Sequence, residues 1–456
     1  ACSLLYRNNF MKTLLFFILI TSQVMFGQSA ILKAYVQTGL EGNLALQQQS
    51  LEIEKAITAI EEARSNLFPK IAFSPTYTLA AGGRQISFPI GDLLNPVYNT
   101  LNQLTASNNF PQVENEEIQF LPNNFQETKV DFQLPLFNAN IKYNIKLKTD
   151  LSNSERSKRR LLAYELKYQI EAAYYQYLQS LEAIKVYNNA LTFLNNYLGF
   201  NKRLVANDIV LKDVIYASEY EISKIESDKM TALKNSKVAA AYFNFLINRQ
   251  AEVPIEVDTA LFLSNPLLEP LEKYQNAALL NRPEFEQLRM GKAVTSTLLE
   301  MQEKNAKRPD FYVGGNIGIQ GFGYQFRGQG YALMQIGMNW DIFHGKEKRH
   351  KIEQTKIQER ILGLKEQETV SQIELQVAQA LFELEGAMTK ANLTGKGVFL
   401  TQKLLDMINK KYENNDALYI EVLEAQNDHL IAELGSRLAQ FDVWLKKSDL
   451  DKVSGL

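Results

Sequence analysis

The spacing of apolar residues along this chain changes between the period of an α-helix and that of a β-strand. Apolar side chains recur at helical spacing over 44–67, and Phe68-Pro69 ends this predicted helix. Alternation of apolar and polar residues then predicts a strand over 71–79 and a second strand over 130–136. Residues 81–126, between the two strands, are rich in Gly, Pro and Asn and predict a long loop with a short helix over 93–104.

The same order of elements returns in the second half of the chain. Arg282-Pro283 opens a helix that ends at Arg308-Pro309, and alternation predicts strands over 311–320 and 334–342. Each pair of strands precedes a long helix and a shorter one, with predicted ranges 141–203 and 213–247 in the first half, and 344–411 and 416–446 in the second. The long helices would measure about 95 Å and about 100 Å. Few globular domains could hold them, so we expect long walls of paired helices.

The two helix turns carry the clearest echo between the halves. Residues 207–217 read N-D-I-V-L-K-D-V-I-Y-A, and residues 414–425 read N-N-D-A-L-Y-I-E-V-L-E-A. Matching positions differ by 208 and are Asn207 and Asn415, Asp208 and Asp416, Asp213 and Glu421, Val214 and Val422, and Ala217 and Ala425. This constant offset indicates an internal twofold repeat. In the second turn, Asp416 is the predicted N-cap of the returning helix.

These patterns divide the chain into five predicted segments. They are an N-terminal extension and signal peptide (1–28), repeat 1 (29–249), an irregular linker (250–281), repeat 2 (282–447) and a C-terminal tail (448–456). The linker is assigned because Pro254, Pro266 and Pro270 interrupt the periodicity. Repeat 1 is the longer of the two repeats, and its extra residues fall in the loop 81–126.

The N-terminus has the layout of a secretory signal. Met11-Lys12 precedes an apolar run over 14–20, and polar and small residues suited to a cleavage site follow it. This run is shorter than the stretch of about 20 residues that spans a bilayer. Cys2, the single cysteine, lies upstream of the run. We therefore expect the mature protein to be exported without a cysteine and without a lipid anchor.

Composition argues against several classes of function. A net charge of -2 gives no electrostatic reason to expect nucleic acid as a partner. One cysteine cannot form a disulfide framework or a thiolate metal cluster, and the three scattered histidines suggest neither a metal site nor a catalytic triad. We expect no enzyme activity, metal or cofactor, with carboxylate chemistry as the one catalytic class left open.

The predicted strands indicate the environment of the protein. Each is about ten residues long, which is the length of a tilted strand in an outer membrane, and has one apolar face. Phe68, Phe137, Trp340 and Phe343 fall near strand ends, where an aromatic girdle would lie. Four strands cannot close a barrel in lipid, because an open edge leaves backbone amides unpaired. The strands must therefore be pooled between copies of the chain, which predicts an oligomer.

In the order and spacing of these features, the chain resembles the TolC-like outer membrane factor family. The resemblance covers nearly all of the mature sequence and rests on the twofold repeat, the helix-proline-strand junctions at Pro69 and Pro309, the R-P-E-F segment at 282–285 and both acidic turns. It implies a mainly α fold with a membrane β contribution. Long antiparallel α-helical hairpins would form a periplasmic tunnel, and four strands per chain would join a trimeric 12-stranded outer-membrane β-barrel.

The resemblance also implies a function, a location and partners. The chain would form a homotrimeric channel-tunnel in the outer membrane of a Gram-negative-type cell, surrounded by outer-membrane lipid. It would be the exit duct of a tripartite efflux or type I secretion system. Its protein partners would be a periplasmic adaptor, or membrane fusion protein, and an inner-membrane pump of the RND, ABC or MFS type.

By matching motifs, the resemblance places a gate at the helix turns. Glu421 and Glu424 would form an acidic ring, Asp213 would stand beside the neighbouring turn, and Tyr412 would make a closing contact. The alternative interpretation is a helix N-terminus that favours carboxylates through its dipole, by about 0.3–1 kcal/mol each.

Two positions in the turns depart from the family pattern. Ala417 stands where the family has an arginine, and Lys212 stands where a neutral residue is usual. The gate would therefore use Lys212 with an acid across the interface, or be weaker than in the family.

Two other functions compete with the channel. A periplasmic coiled-coil adaptor or scaffold would share the helical hairpins, but it has no need of four membrane-length strands. An exported enzyme would need a catalytic constellation, which the scarcity of histidine and cysteine disfavours. Recovery from the soluble periplasm without detergent would reject the membrane barrel.

Overall fold

A computed structural model describes residues 30–258, 266–325, 327–343 and 345–456. The predicted signal peptide, with Cys2, lies outside these described residues. The helices are α1 (Ala30–Gly42), α2 (Leu44–Ser65), α3 (Ile90–Leu104), α4 (Ala139–Ala206), α5 (Asp213–Leu246), α6 (Leu271–Asn281), α7 (Pro283–Asn305), α8 (Glu347–Glu413) and α9 (Tyr419–Ser454). The strands are β1 (Lys70–Thr78), β2 (Gln85–Phe88), β3 (Glu116–Gln119), β4 (Phe125–Phe137), β5 (Asp310–Phe322) and β6 (Gly330–Asn339).

Long helices dominate the chain, as predicted. Helix α4 has 68 residues and α8 has 67, and a short turn joins each of them to the shorter helices α5 and α9. The prediction of a mainly α fold with long helical hairpins and a smaller β contribution is confirmed. Among the helices of the described residues, none combines the length and the apolar character needed to cross a membrane.

The chain divides into two compact units, of which the first contains most of the helical residues. It comprises the described residues within 30–55, 152–292 and 360–456. One core cluster joins α1, α4 and α5, with Leu32, Ile170, Tyr174 and Phe243 among its buried residues. A second cluster joins α6, α8 and α9, with Tyr274, Val377, Leu384 and Leu450 among its buried residues. Both clusters are built by side chains at helical spacing, which is why the periodicity of the sequence identified the long helices α4, α5, α8 and α9.

Helix α6 corrects the prediction of an irregular linker over 250–281. Pro270 does not interrupt a helix but directly precedes one, a position where its missing N–H costs nothing. Tyr274 and Ala278, one turn apart, are buried against α8. Among the described residues the linker is therefore irregular only over 250–258 and 266–270, and residues 259–265 lie outside the described residues.

The second unit comprises Ala56–Leu151 and Ala293–Glu359 and contains the β-sheets. The larger sheet is antiparallel with the order β1-β4-β5-β6. Its register places Phe73 opposite Val130 and Val130 opposite Ile317, so the apolar positions of neighbouring strands share one face. The other face carries polar, charged and glycine positions, among them Thr76, Lys129, Asp131, Asn316, Gly318 and Gln335. The predicted alternation of the strands is thus confirmed.

The last strand ends earlier than predicted. The prediction of a strand over 334–342 is wrong at its C-terminal end, because β6 stops at Asn339. Asn339 pairs with Asp310, the first residue of β5, so the sheet offers Trp340 and Ile342 no backbone partner. Within this sheet Tyr312 lies over Gly337, where a Cβ would come within 2.3 Å of the Tyr312 ring, so the ring could not keep this position over a larger residue.

The segment 81–126 is more ordered than a loop with a short helix. Strands β2 and β3 form a two-stranded antiparallel sheet, with α3 between them in the sequence, and α3 begins at Ile90, earlier than the predicted residue 93. The sequence did not reveal β2 and β3 because each has only four residues, too few to show a period. Helix α9 also differs from prediction, because it begins at Tyr419 and continues to Ser454.

Candidate gate at the helix turns

The two helix turns, which join α4 to α5 and α8 to α9, close their first helices in the same way. One residue in each turn is left-handed, with φ of 55° at Asp208 and 62° at Asn415. The next residue donates its backbone N–H back across the helix end, over 3.0 Å from Ile209 to Leu204 and over 2.8 Å from Asp416 to Lys411. This pattern is the Schellman closure of a helix C-terminus, in which Asp and Asn tolerate the left-handed position.

Asp416 is therefore not the N-cap of the returning helix, contrary to prediction. Its backbone completes the end of α8, and Leu418 occupies the N-cap position of α9. The backbone N–H of Leu418 donates to Glu421 Oε1 at 3.0 Å. Glu421 thus satisfies a backbone donor at the start of α9, in the manner of the acid in a capping box.

Behind the turns, a chain of hydrogen bonds links four helices. The Tyr412 hydroxyl of α8 donates to Asn201 Oδ1 of α4 at 2.8 Å. Asn201 Nδ2 donates to Ser218 Oγ of α5 at 3.1 Å, and Ser218 Oγ lies 2.8 Å from the Tyr419 hydroxyl of α9. Asn201 and Ser218 are fully buried, and the two tyrosines are 4% and 5% exposed. We call these four residues the buried polar chain.

The Ser218 hydroxyl is the point where three hydrogen bonds of the buried polar chain meet. Ser218 Oγ also lies 2.7 Å from the Val214 carbonyl, and a hydroxyl with one proton and two lone pairs can serve Asn201, Val214 and Tyr419 together. Removing one member would leave another polar group buried without a partner, which costs more than the lost bond itself.

Aromatic rings surround the buried polar chain. The rings of Tyr412 and Tyr419 are 5.5 Å apart, and Tyr197 lies 6.3 Å and 6.4 Å from them. Burial, with smaller contributions from the charges of Tyr419 and Asp213, raises the pKa of Tyr412 to about 12. Burial likewise raises the pKa of Tyr197 to about 12 and, to an extent reduced by its hydrogen bonds, the pKa of Tyr419. These phenols stay neutral at physiological pH.

The predicted ring residues lie at the surface of this single chain. Asp213, Glu421 and Glu424 are all exposed, as is Lys212, which precedes α5 without a side-chain cap. None of the four forms an ion pair within the described part of the chain. The structure therefore places Tyr412 in a hydrogen bond between α8 and α4 of one chain. Its closing role, the acidic ring and the Lys212 clasp stay predictions about an assembly.

Sequence reasoning missed Asn201, Ser218 and Tyr419. A signal for two of them was present, because Asn201 and Ser218 recur as Asn409 and Gln426 at the repeat offset of 208. Both pairs interrupt apolar stripes with amides or hydroxyls. In the second copy, Gln426 is also buried, and Asn409 Oδ1 is buried without a hydrogen-bond partner among the described residues.

Comparison with known proteins identifies the fold. No protein-family model and no curated relative matches the sequence. Solved structures do match over almost the whole chain. The outer membrane protein VceC from Vibrio cholerae matches with a TM-score of 0.69 at 13% identity, covering 94% of this chain and 97% of its own. CusC, described in connection with transmembrane channel formation, matches with a TM-score of 0.74 at 12% identity, covering 94% and 93%.

The chain has the outer-membrane channel fold. A third match supports this conclusion, the open state of the MtrE outer membrane channel from Neisseria gonorrhoeae, with a TM-score of 0.70 at 15% identity over 93% of this chain and 89% of its own. The resemblance stated from the sequence is thereby confirmed at the level of fold.

Proposed function

We propose that this protein is an outer-membrane channel-tunnel, the exit duct of a tripartite efflux or type I secretion system. The observation that carries the proposal is a four-stranded sheet with an exposed apolar face, in a chain with the outer-membrane channel fold. On that face Ile71, Phe73, Met334 and Ile336 are each at least 68% exposed. A soluble sheet would cover such a face with other elements, whereas lipid would cover it in an outer membrane.

Aromatic side chains support a membrane position for the sheet. At the end where β1 begins and β4 ends, Phe68, Phe137 and Trp340 are exposed. At the opposite end, the rings of Tyr77 and Tyr324 stack 5.9 Å apart, and those of Phe125 and Phe322 meet at 5.6 Å. Two aromatic girdles with an apolar band between them are typical of membrane barrels.

Unpartnered surfaces support a homotrimer. In the described residues β1 and β6 are the sheet edges, and open edges are not tolerated in lipid. Three chains would supply twelve strands. Helix α8 is apolar on two sides, since a stripe opposite its buried core side is exposed, comprising Ile361, Leu364, Leu375, Phe382, Leu393, Leu400 and Met407. Such a stripe favours packing against a further helix pair from another copy.

The gate in this proposal has two layers. The buried polar chain holds the two hairpins of one chain together, and the exposed acids Asp213, Glu421 and Glu424 of three chains would surround the opening. Repeated carboxylates at a constriction attract cations and hinder anions. A periplasmic adaptor and an inner-membrane pump would provide the energy that separates the hairpins, and the channel itself would perform no bond chemistry.

Channel recordings test the proposal. The detergent-purified chain should be trimeric by light scattering and should produce discrete conductance steps in planar lipid bilayers. A monomer that is recovered from the soluble periplasm and produces no conductance in bilayers would instead favour the adaptor or scaffold.

The acidic ring needs its own test. The double variant Glu421→Ala with Glu424→Ala should weaken block by multivalent cations and lower cation selectivity. The matched control is Glu385→Ala, an exposed acid of α8 far along the chain from the turns. Unchanged selectivity in the double variant would contradict the acidic ring but not the proposed channel.

A further inference from the structure

Helix α3, in the segment between β1 and β4, is held by its polar side. Asn95 pairs with Val113 through both backbone groups, at 2.8 Å and 2.9 Å. Asn102 pairs in the same way with Phe110, at 3.1 Å and 2.8 Å. Asn99 Oδ1 accepts a bond of 2.7 Å from Gln112 Nε2. Three asparagines at helical spacing thus clamp the helix to the returning segment.

The opposite arrangement is usual in a soluble protein, where a helix packs through its apolar side. Here Leu93, Val97 and Leu104 share a helix face and are 70%, 53% and 78% exposed. Because the asparagine clamp fixes the orientation of α3, the helix cannot turn this face inward without losing those bonds. The exposed apolar face of α3 therefore needs a cover from outside the chain.

We infer that the cover is a second copy of this chain in the assembled trimer, an inference that rests on the proposed function. Charge disfavours an anionic lipid surface as the cover. Residues 85–119 include all of α3, β2 and β3, and they contain four acids and no lysine or arginine. Helices that lie on anionic membranes carry basic side chains on their polar side, and α3 has none.

Continuity with the open sheet edge favours the second copy. The segment that carries α3 connects β1, an edge strand, to β4. In the proposed barrel, the neighbouring chain pairs with β1, so its outer loops come close to this segment. Phe88 of β2 and Ile118 of β3, in the same segment, are also apolar and are 44% and 50% exposed. Packing between copies would tie the outer ends of the subunits together.

Nitroxide labelling of the full chain in liposomes tests the inference. Labels go on Leu93→Cys or Val97→Cys in a Cys2→Ser background, and Gln103→Cys is the matched control because Gln103 is exposed on the same helix away from the apolar face. The vesicles contain phosphatidylethanolamine and phosphatidylglycerol. Collision rates with both oxygen and a water-soluble nickel chelate should be about tenfold lower at 93 and 97 than at 103, as expected for sites reached only by local opening. The labels at 93 and 97 should also show spin-spin broadening, because labels on different copies would lie close together.

The other outcomes overturn the inference. High oxygen and low nickel access would show that lipid covers α3, and high nickel access would show that the face is open to water or awaits a different protein. Light scattering and conductance of the same sample separate the two proposals. A conducting trimer with an accessible α3 contradicts only this inference. A monomer without conductance contradicts the proposed channel function.

A second measurement keeps the test independent of labelling. The variant Leu93→Asn with Leu104→Asn should lose its detergent-resistant trimer at a temperature where Gln103→Asn retains it. Equal resistance of the two variants would contradict packing of α3 between copies.

Discussion

The two helix turns share a sequence echo and a backbone closure, yet they supply different parts of the candidate gate. The turn after α8 is flanked by the tyrosines 412 and 419, and the turn after α4 is flanked by their partners Asn201 and Ser218. Glu421 satisfies a backbone donor at the second turn, whereas Lys212 has no capping bond at the first. The repeat therefore preserves how the chain reverses direction, while the contacts between its copies depend on their differences.

The difference extends to the spacing of the turns. The sequence echo has an offset of 208, but the left-handed residues Asp208 and Asn415 are 207 apart. The second turn thus has one residue fewer, and Asp416 follows the left-handed residue of its turn, whereas the matching Asp208 is itself left-handed. A sequence repeat need not be an identical backbone repeat, because one residue fewer in a loop costs little.

Breaking the centre of the buried polar chain should have the largest effect. Asn201→Leu keeps the volume but leaves the Tyr412 hydroxyl without an acceptor and removes one of the two donors to Ser218 Oγ, so local opening should become easier by about 2–4 kcal/mol. Hydrogen exchange of the segments around both turns measures this change. Asn195→Leu, an exposed asparagine on the same helix, is the control. Equal hydrogen-exchange protection in the two variants would mean that the buried polar chain contributes nothing to closure of the turns.

Removing each tyrosine hydroxyl in turn should show how much each end of the buried polar chain contributes to stability. Tyr412→Phe leaves Asn201 Oδ1 unsatisfied and should cost about 1–2 kcal/mol. Tyr419→Phe should cost less, because Ser218 keeps its bonds to Asn201 and Val214. Thermal unfolding followed by circular dichroism gives the ranking, with the exposed Tyr216→Phe as reference. A larger loss for Tyr419→Phe would reverse the roles assigned here.

Alkaline pH should weaken the same contact. The folded-state pKa of Tyr412 is about 12, above the ordinary value of about 10 in an unfolded chain. The stabilisation is therefore fully present below pH 10 and is lost as pH rises towards 12. The absorbance of tyrosinate and the channel conductance should rise together in this window. In Tyr412→Phe the conductance should lose part of its pH dependence, and an unchanged profile would contradict the link.

The left-handed residues test what the two turns share. Asp208→Ala and Asn415→Ala should each cost about 1 kcal/mol, because alanine disfavours this backbone, while glycine at either site should cost less. Asn414→Ala is the control, because Asn414 itself is not left-handed. The exchange protection of each turn reports the result. A cost at only one turn would show that the closures differ.

The smallest effect should come from the cap that only the second turn has. Glu421→Ala should destabilise the start of α9 by about 0.3–1 kcal/mol more than Glu424→Ala, because it loses the bond to Leu418 N–H. Glu421→Gln should restore most of this difference and still remove the charge. Equal loss for both alanine variants would leave Glu421 with an electrostatic role alone.

The amino-acid sequence by itself determined the long helices, the four membrane-length strands and the faces of those strands, because each depends on a period that is visible within a few turns or a single strand. It also indicated the two reversals of direction at Asn207 and Asn415. Short elements escaped this reading, since β2, β3 and α6 are too brief or too close to prolines to show a period.

Only the tertiary structure decided which side chains meet at the turns. Asn201, Ser218, Tyr412 and Tyr419 come from four helices, and Tyr412 is 211 residues from its acceptor. A single polar residue within an apolar stripe does not reveal its partner, because burial makes the partner necessary while packing alone selects it. For the same reason, the direction of the apolar face of α3 became visible only once the asparagine clamp was seen.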